Sequence, residues 1–514
     1  MSARPTGVHE RLDDDLDLVC DVCVIGSGAG GAVVAARLAA MGLEVVILEE
    51  GPYRDRRSFR MDEGEAYRTL YQDRGLRATQ DLSITILQGR AVGGSTVVNW
   101  TTCFRVPDAV LHRWARDFGV RGLSPETLAP HFQAVEARLG IAEWPAAAAN
   151  ANNRVLFEGC RKLGYEVGPL RRNVRGCANL GYCGMGCPVD AKQAMHVTYL
   201  PDAFAHGARL YANVRAHRVE VRQGRAVDIL GVALDPETAR PTGRRLRVRP
   251  KAVVASFGAL NTPTLLLRSG LDDGKVGKRT FLHPTVAMAS FFDEPVQAFY
   301  GAPQSIGSHH FADRGPGRIG FFLETPPVHP MLAATAFPAF GQQQLELMSR
   351  LGHMQALIAL AIDGFLPEEA GGTVRIDRDG RMRFFYPIGP PLEEAFCAAS
   401  IEMARIQLAA GAREVRSLHL EPVVVRTEAD LPRLERAPYG ALRHSIFSAH
   451  QMGGCPMGED EDVCVVDSTL RHRRVDNLFV VDGSVFPTSL GVNPSETIYA
   501  LAHWAAEPIA AAIA

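Results

Sequence analysis

His450 opens the run HQMGGCPMG, a lone histidine set just before a glycine turn. An imidazole at such a turn can carry a proton near neutral pH. Further on, the apolar run Phe479-Val-Val ends in Asp482, and Asn493-Pro494 opens a helical pattern that continues through TIYALAHWAA. Asn493-Pro494-Ser495-Glu496 also reads as a helix N-cap, a proline at the first helical position and a capping-box glutamate. A second chemistry-bearing stretch lies at the other end of the chain. Gly26-x-Gly28-x-x-Gly31 follows the apolar strand Val22-Cys23-Val24-Ile25, and small residues (Ala32, Ala35, Ala36, Ala39) then suit a helix packed closely on a sheet. A second strand, Glu44 to Leu48, runs into Glu49-Glu50-Gly51. Strand, glycine turn, helix, strand and acidic residue make the full dinucleotide fingerprint. The glycines admit a pyrophosphate to the backbone at a helix N-terminus, and Glu49 can bond ribose hydroxyls, with Glu50 its rival.

The fingerprint does not separate FAD from NAD. A second glycine-rich turn, Gln88-Gly89-Arg90-Ala-Val-Gly93-Gly94-Ser95-Thr96-Val-Val-Asn99, adds to it. It reads either as a surface turn or as a loop covering an extended, tightly bound cofactor.

The elements that must position these residues belong to an ordinary globular chain. It has 514 residues, 46% hydrophobic and 22% charged, which leads us to expect two domains of unequal size. The 55 basic and 57 acidic side chains give a net charge of −2, so no nucleic-acid partner is expected. The first seventeen residues lack an apolar core, and no apolar run approaches the roughly 20 residues of a membrane span. We expect a cytoplasmic protein, with peripheral membrane contact left open. Three of the ten cysteines, Cys177, Cys183 and Cys187, cluster among glycines.

Four blocks together resemble the glucose–methanol–choline (GMC) family of FAD-dependent oxidoreductases: GSGAGG with Glu49, GRAVGGSTVVN, VVASFGALNTPTLLLRSG around Gly258, and HQMGGCPMG through VVDGSVFPTSLGVNPSETIYALA. The last block is similar in wording to the cholesterol-oxidase branch, and the middle of the chain to long-chain alcohol oxidases. Ser256-Phe257 departs from the small residues usual in the family. The resemblance implies an α/β fold: a Rossmann-like, discontinuous FAD-binding domain (18–285 and 446–514) and an α+β substrate-binding domain (286–445) with an antiparallel sheet and helices. Aromatics of that second region, including Phe291-Phe292, Phe321-Phe322, Phe337 and Phe340, and the apolar run Met354 to Phe365 would supply core and pocket walls.

The resemblance also implies roles. His450 would be the general base, and Asn493 would hydrogen-bond the substrate oxygen and place the C–H bond near flavin N5. The helix from Pro494 would point positive potential at the charge of the reduced flavin, with Glu496 or Ser495 closing its end. Gly26, Gly28, Gly31, Glu49, Arg90, Gly93, Gly94, Ser95, Asn99, Val219 and Asp482 would contact FAD. Glu324 could be an extra base, or a solvated or pocket-rim carboxylate, and His283-Pro284 reads as structural. The cysteine cluster resembles an element that carries an iron–sulfur cluster in some relatives, with an adjacent cysteine missing; a redox-neutral loop is the favoured reading. The expected activity is oxidation of a fairly apolar alcohol to the aldehyde or ketone, with oxygen, a quinone or a redox protein as electron acceptor. The alternatives are a dehydrogenase using the cysteine loop and a non-catalytic flavoprotein.

Overall fold

A computed structural model describes residues 6–513. Its first sheet has eight strands and orders Val8–His9, Arg209–Tyr211, Val45–Leu48, Leu16–Ile25, Pro241–Ala255, Arg225–Leu234 and Val214–Arg222, with Leu478–Val480 added beside Pro241–Ala255. The pairings from Val8–His9 through to Pro241–Ala255 are parallel, as is that of Leu478–Val480. Val22 to Ile25 and Val45 to Leu48 are buried on both faces, which is why they read as continuous apolar runs. Ile25, Leu48, Ala255 and Val480 end at one level of the sheet. The segments that leave these ends carry Gly26, Glu49, Ser256 and Asp482. Ligands of open parallel sheets bind at such an edge, beyond the strand C-termini.

The helix Ala29–Ala40 can lie close to the sheet because its first turn lacks side chains. A Cβ at Gly30 would sit 1.9 Å from the Val481 carbonyl oxygen, and one at Gly31 would sit 1.9 Å from that of Gly26. Helix Ser495–Ala511 packs on this helix, which brings the chain's far end to the same edge. Ser256, a departure from the family pattern, fits here because its hydroxyl donates to Val481 O at 2.7 Å.

The second sheet is largely antiparallel. Its order is Val424–Val425, Glu414–Ser417, Thr285–Phe291, Met354–Ala361, Phe321–Glu324, Ile306–Ser308 and Gly168–Pro169, and Ile446–Ser448 links it to Ile84–Ile86. Strands from outside 286–445 therefore complete it. Strand alternation divides its residues between two faces. Phe321, Leu323, Leu357 and Ala359 pack in one cluster with residues of helix Pro390–Ala409, whereas Phe322, Ile358 and Leu360 form a separate cluster with Trp100 and Phe447. Phe337 is buried in a third cluster, while Phe340 is 85% exposed and walls nothing. Among the described residues no helix is long and apolar enough to cross a membrane.

Candidate active site

One continuous cavity runs from the glycine turn of the first sheet to the face of the second that carries Ile358 and Leu360. Its lining includes Gly26, Gly28, Glu49, Arg90, Gly94, Ser95 and Asp482 from the first sheet's edge and the second glycine loop, Thr285, Gln304, Phe447 and His450 from the second sheet's side, and Asn99, Trp100, Asn493 and Pro494.

The dinucleotide end is bonded internally. Glu49 Oε2 accepts from Ser27 N at 3.0 Å and Ser27 Oγ at 2.7 Å, and Oε1 accepts from Gly51 N at 2.7 Å. Burial raises its pKa, and these bonds act against the rise. Ser27 Oγ also accepts from Gly93 N at 3.0 Å, joining the two glycine loops. Gly93 has φ 101°, and Gly89 N donates to Ser95 Oγ at 2.9 Å, which closes the second loop. Glu50 is committed elsewhere: its Oε1 accepts from Arg215 at 3.0 Å and Arg90 at 3.2 Å. Burial raises its pKa, but Arg215 and Arg90 outweigh that and hold it below the ordinary range.

Asp482 accepts from Gly258 N and Thr262 Oγ1 through one oxygen and from Ser484 N and Oγ through the other, so it caps the turn Gly483–Val485 and ties two strand ends together. Gly31 lies behind the turn against Gly26 O. Val219 lies in strand Val214–Arg222, away from the cavity lining, with its amide bonded to Ser269 Oγ at 2.9 Å. Open space beside Gly28, where a Cβ would meet only Gly94 Cα at 3.6 Å, and a buried, unpartnered Asn99 Oδ1 on the wall suit an extended FAD.

At the other end Asn493 Nδ2 lies 3.3 Å from His450 Nε2. The helix-cap reading of Asn493 does not hold. Helix Ser495–Ala511 has Pro494 as its N-cap and no side-chain cap bond. Glu496 closes no capping box either, because its carboxyl is fully buried and turned toward Arg171, 3.5 Å away, and Glu136. With no side-chain cap, the helix N-terminus opens toward the cavity, which Pro494 and Ser495 line.

His450 is partly accessible on the wall, and burial of its ring pushes the pKa down to about 4. Its other nitrogen, Nδ1, stands 3.2 Å from Nδ1 of His283, a residue the sequence offered only as structural. No local signal could have found that contact, which joins positions 167 residues apart.

Glu324 is not solvated: it is 1% exposed, and burial pushes its pKa up to about 8. Its Oε2 accepts from Gln304 Nε2, and Oε1 is buried without a partner. Alternation puts it on the same strand face as Phe322.

The cysteine cluster does not form a metal centre. Among the described residues no group of three or more His, Cys, Asp or Glu side chains is placed to hold a metal ion. Cationic side chains occupy the space beside these thiols: Arg172 Nη2 lies 3.8 Å from Cys183 Sγ, and buried Lys192 donates to the carbonyls of Cys183 and Asn99. Cys177 Sγ faces Asn179 Oδ1 at 4.0 Å. The iron–sulfur alternative at Cys177, Cys183 and Cys187, already the less favoured reading, finds no support in this arrangement.

A glycine-lined cavity at a parallel-sheet edge, continuous with a histidine–asparagine pair, defines the chain as a dinucleotide-dependent oxidoreductase of the flavoprotein kind. It belongs to the GMC oxidoreductases: the family's N-terminal model matches residues 67–285 and its C-terminal model residues 367–502. An uncharacterized GMC-type oxidoreductase of Mycobacterium tuberculosis is 36% identical over 94% of this chain and 74% of its own. The long-chain-alcohol oxidase FAO4B of Arabidopsis thaliana is 30% identical over 98% of this chain and 69% of its own. Among solved structures, pyridoxine 4-oxidase from Mesorbium loti superposes with a TM-score of 0.68 at 20% identity, covering 96% of this chain and 99% of the other. A variant of Aspergillus oryzae formate oxidase gives 0.69 at 16% identity, with 97% and 99% covered. These two likenesses concern the fold alone.

Proposed function

We propose that this protein oxidises a fairly apolar primary or secondary alcohol to the aldehyde or ketone. The observation that carries the reading is the single cavity, which joins the cradle of Gly26, Glu49 and Gly94 to His450 and Asn493 under an apolar wall of Ile358, Leu360 and Phe447. Bound FAD would supply the hydride acceptor. The chain supplies the rest. His450 and Asn493 hold the reacting oxygen between them, and the apolar wall excludes water from the carbon side. The Nε2 lone pair of His450 accepts the hydroxyl proton, since burial keeps the Glu324 carboxyl protonated up to about pH 8. The likeness to a long-chain-alcohol oxidase supports an aliphatic substrate.

In the same reading, the cofactor domain comprises 18–285 and 446–514, the substrate domain comprises 286–445, Asp482 helps seat the cofactor, and the protein is cytoplasmic. Anaerobic bleaching of the purified yellow protein with a panel of aliphatic, sterol and aromatic alcohols tests the proposal. Rapid bleaching by one class supports it, whereas no bleaching by any alcohol would remove it. Readmitting air or adding a quinone then identifies the electron acceptor.

A further inference from the structure

Behind the stretch of cavity wall that ends at Trp100 lie two buried cations that the alcohol chemistry does not use. Arg172 is 1% exposed and Lys192 is 2% exposed, and among the described residues neither meets a carboxylate. Lys192 donates to the carbonyls of Val97, Asn99 and Cys183. Arg172 lies over the Trp144 ring at 5.0 Å, and its Nη2 reaches Trp100 O at 3.3 Å and Cys183 Sγ at 3.8 Å. Its Nε and Nη1 are buried with no partner. A buried guanidinium without an opposite charge is costly, and the group beside it that can carry that charge is the Cys183 thiol. Burial lowers the Lys192 pKa to about 8, and Cys183 and Cys187 oppose the fall.

Four of the ten cysteines, Cys177, Cys183, Cys187 and Cys397, are neither buried nor fully exposed. Burial raises the pKa of Cys177 and of Cys397. The Cys183 sulfur instead accepts from a guanidinium, the setting in which a cysteine reacts as its thiolate. Its loop is also fitted to the cavity wall. Tyr71 Oη donates to Gly184 O at 2.8 Å, and a Cβ at Gly184 would stand 2.9 Å from Trp100 Nε1. Tyr71 and Trp100 both line the cavity, as do Val98 and Asn99 between the carbonyls that Lys192 and Arg172 hold.

We propose that Cys183 is a covalent modification site, a thiolate held by Arg172 that a hydroperoxide oxidises to the sulfenate, and that this oxidation loosens the cavity wall at Trp100. With hydrogen peroxide as oxidant, the thiolate attacks one oxygen, the O–O bond breaks and an S–O bond forms. The sulfur gives up two electrons, and the displaced hydroxide takes the sulfenic proton and leaves as water. The new oxyanion is a stronger acceptor than a carbonyl, and the guanidinium has two unpartnered nitrogens to offer it. Drawing Arg172 toward the oxidised sulfur takes its Nη2 from Trp100 O. The site is independent of which alcohol the cavity accepts.

The test treats the flavin-loaded enzyme with limiting hydrogen peroxide in the presence of dimedone, which traps sulfenic acids, and maps the adducts by peptide mass spectrometry. Cys183 should be labelled about 10-fold or more faster than Cys177 and Cys397 in the same molecules. Arg172→Met, which replaces the cation by an apolar chain, should bring Cys183 down to their rate. Equal labelling of the three cysteines in the wild type overturns the proposal, whether or not the variant folds. Flavin release on dilution, followed by its fluorescence without dimedone, reads the wall. Peroxide should speed release from the wild type several-fold and leave Cys183→Ser unchanged. A Cys183→Ser enzyme that responds to peroxide as the wild type does, or an oxidised wild type that keeps its flavin, overturns the link between Cys183 and the wall.

Discussion

Gly28 and Gly94, from two loops far apart in the chain, meet along their backbones: a Cβ at Gly94 would stand 2.7 Å from Gly28 Cα. The cofactor cradle is thus a contact between two glycine turns, and a methyl group in the seam must push them apart. Gly94 also has φ 57°, so Gly94→Ala adds backbone strain of about 1–3 kcal/mol to the clash. Gly42 separates the two effects, since it has φ 86° with nothing within 4 Å of its Cβ position. Gly42→Ala should lower the melting temperature and keep the flavin, whereas Gly94→Ala should lose flavin. Equal flavin-to-protein absorbance ratios in the two variants would refute this account of the seam.

Ser27 holds the acidic end of the second strand by a 2.7 Å bond to Glu49 and receives the Gly93 amide at 3.0 Å. Ser27→Ala strips a partner from a buried carboxylate and leaves Gly93 N–H unpaired, at a cost of about 1–3 kcal/mol. The expected result is weaker FAD retention on dilution with little change in the reduction rate of enzyme that keeps its cofactor. Unchanged retention would show that water replaces the hydroxyl fully.

His450→Ala should purify with bound FAD, because the residue lies at the far end of the cavity from Glu49. Anaerobic reduction by alcohol should slow by about 10²–10⁴-fold, the range for a positioned proton-handling side chain. Stopped-flow measurement at the flavin band decides it, and near-normal reduction would remove His450 from the reaction.

Glu324 gives a pH dependence whose sign follows from its burial. Its native pKa is raised from 4.5 to about 8, so the folded protein holds a proton that the unfolded chain releases. The stability it contributes is fully present below 4.5 and is lost as pH rises through about 8, a swing on the order of a few kcal/mol. Glu324→Gln stays neutral throughout. The melting temperature of the wild type should therefore fall relative to the variant between pH 5 and 9, and parallel curves across that range would contradict the buried, protonated carboxyl.

The cofactor cradle was legible in the sequence because its parts are local. Strand, glycine turn and helix occupy one stretch from Val22 to Ala39, and Gly26, Gly30 and Gly31 are each required by a backbone oxygen that a Cβ would strike, those of Ser256, Val481 and Gly26. His450 and Asn493 were legible for the same reason, each being marked by its own turn. Glu324 was left open because strand alternation only becomes a facing once the partner strand Met354–Ala361 and the helix behind it are in place. At the cysteine cluster the sequence favoured a redox-neutral loop but left an iron–sulfur site open. Three thiols in a glycine-rich run imply convergence, but the fold puts Arg172 and Lys192 beside them.

By itself, the sequence determined the class of chemistry: a dinucleotide turn, an acidic strand end, and a histidine and an asparagine each held at a turn. Only the tertiary structure decided how these work together. It turned Asn493 away from the helix cap to face His450, withdrew Glu496 from the capping box, buried Glu324, and set His283 behind His450 with Gly491 N–H behind that. The physical reason is that proton placement depends on which donor faces which acceptor. His283 Nε2 accepts from the Gly491 amide, 208 residues along the chain, a partner that no spacing rule reaches.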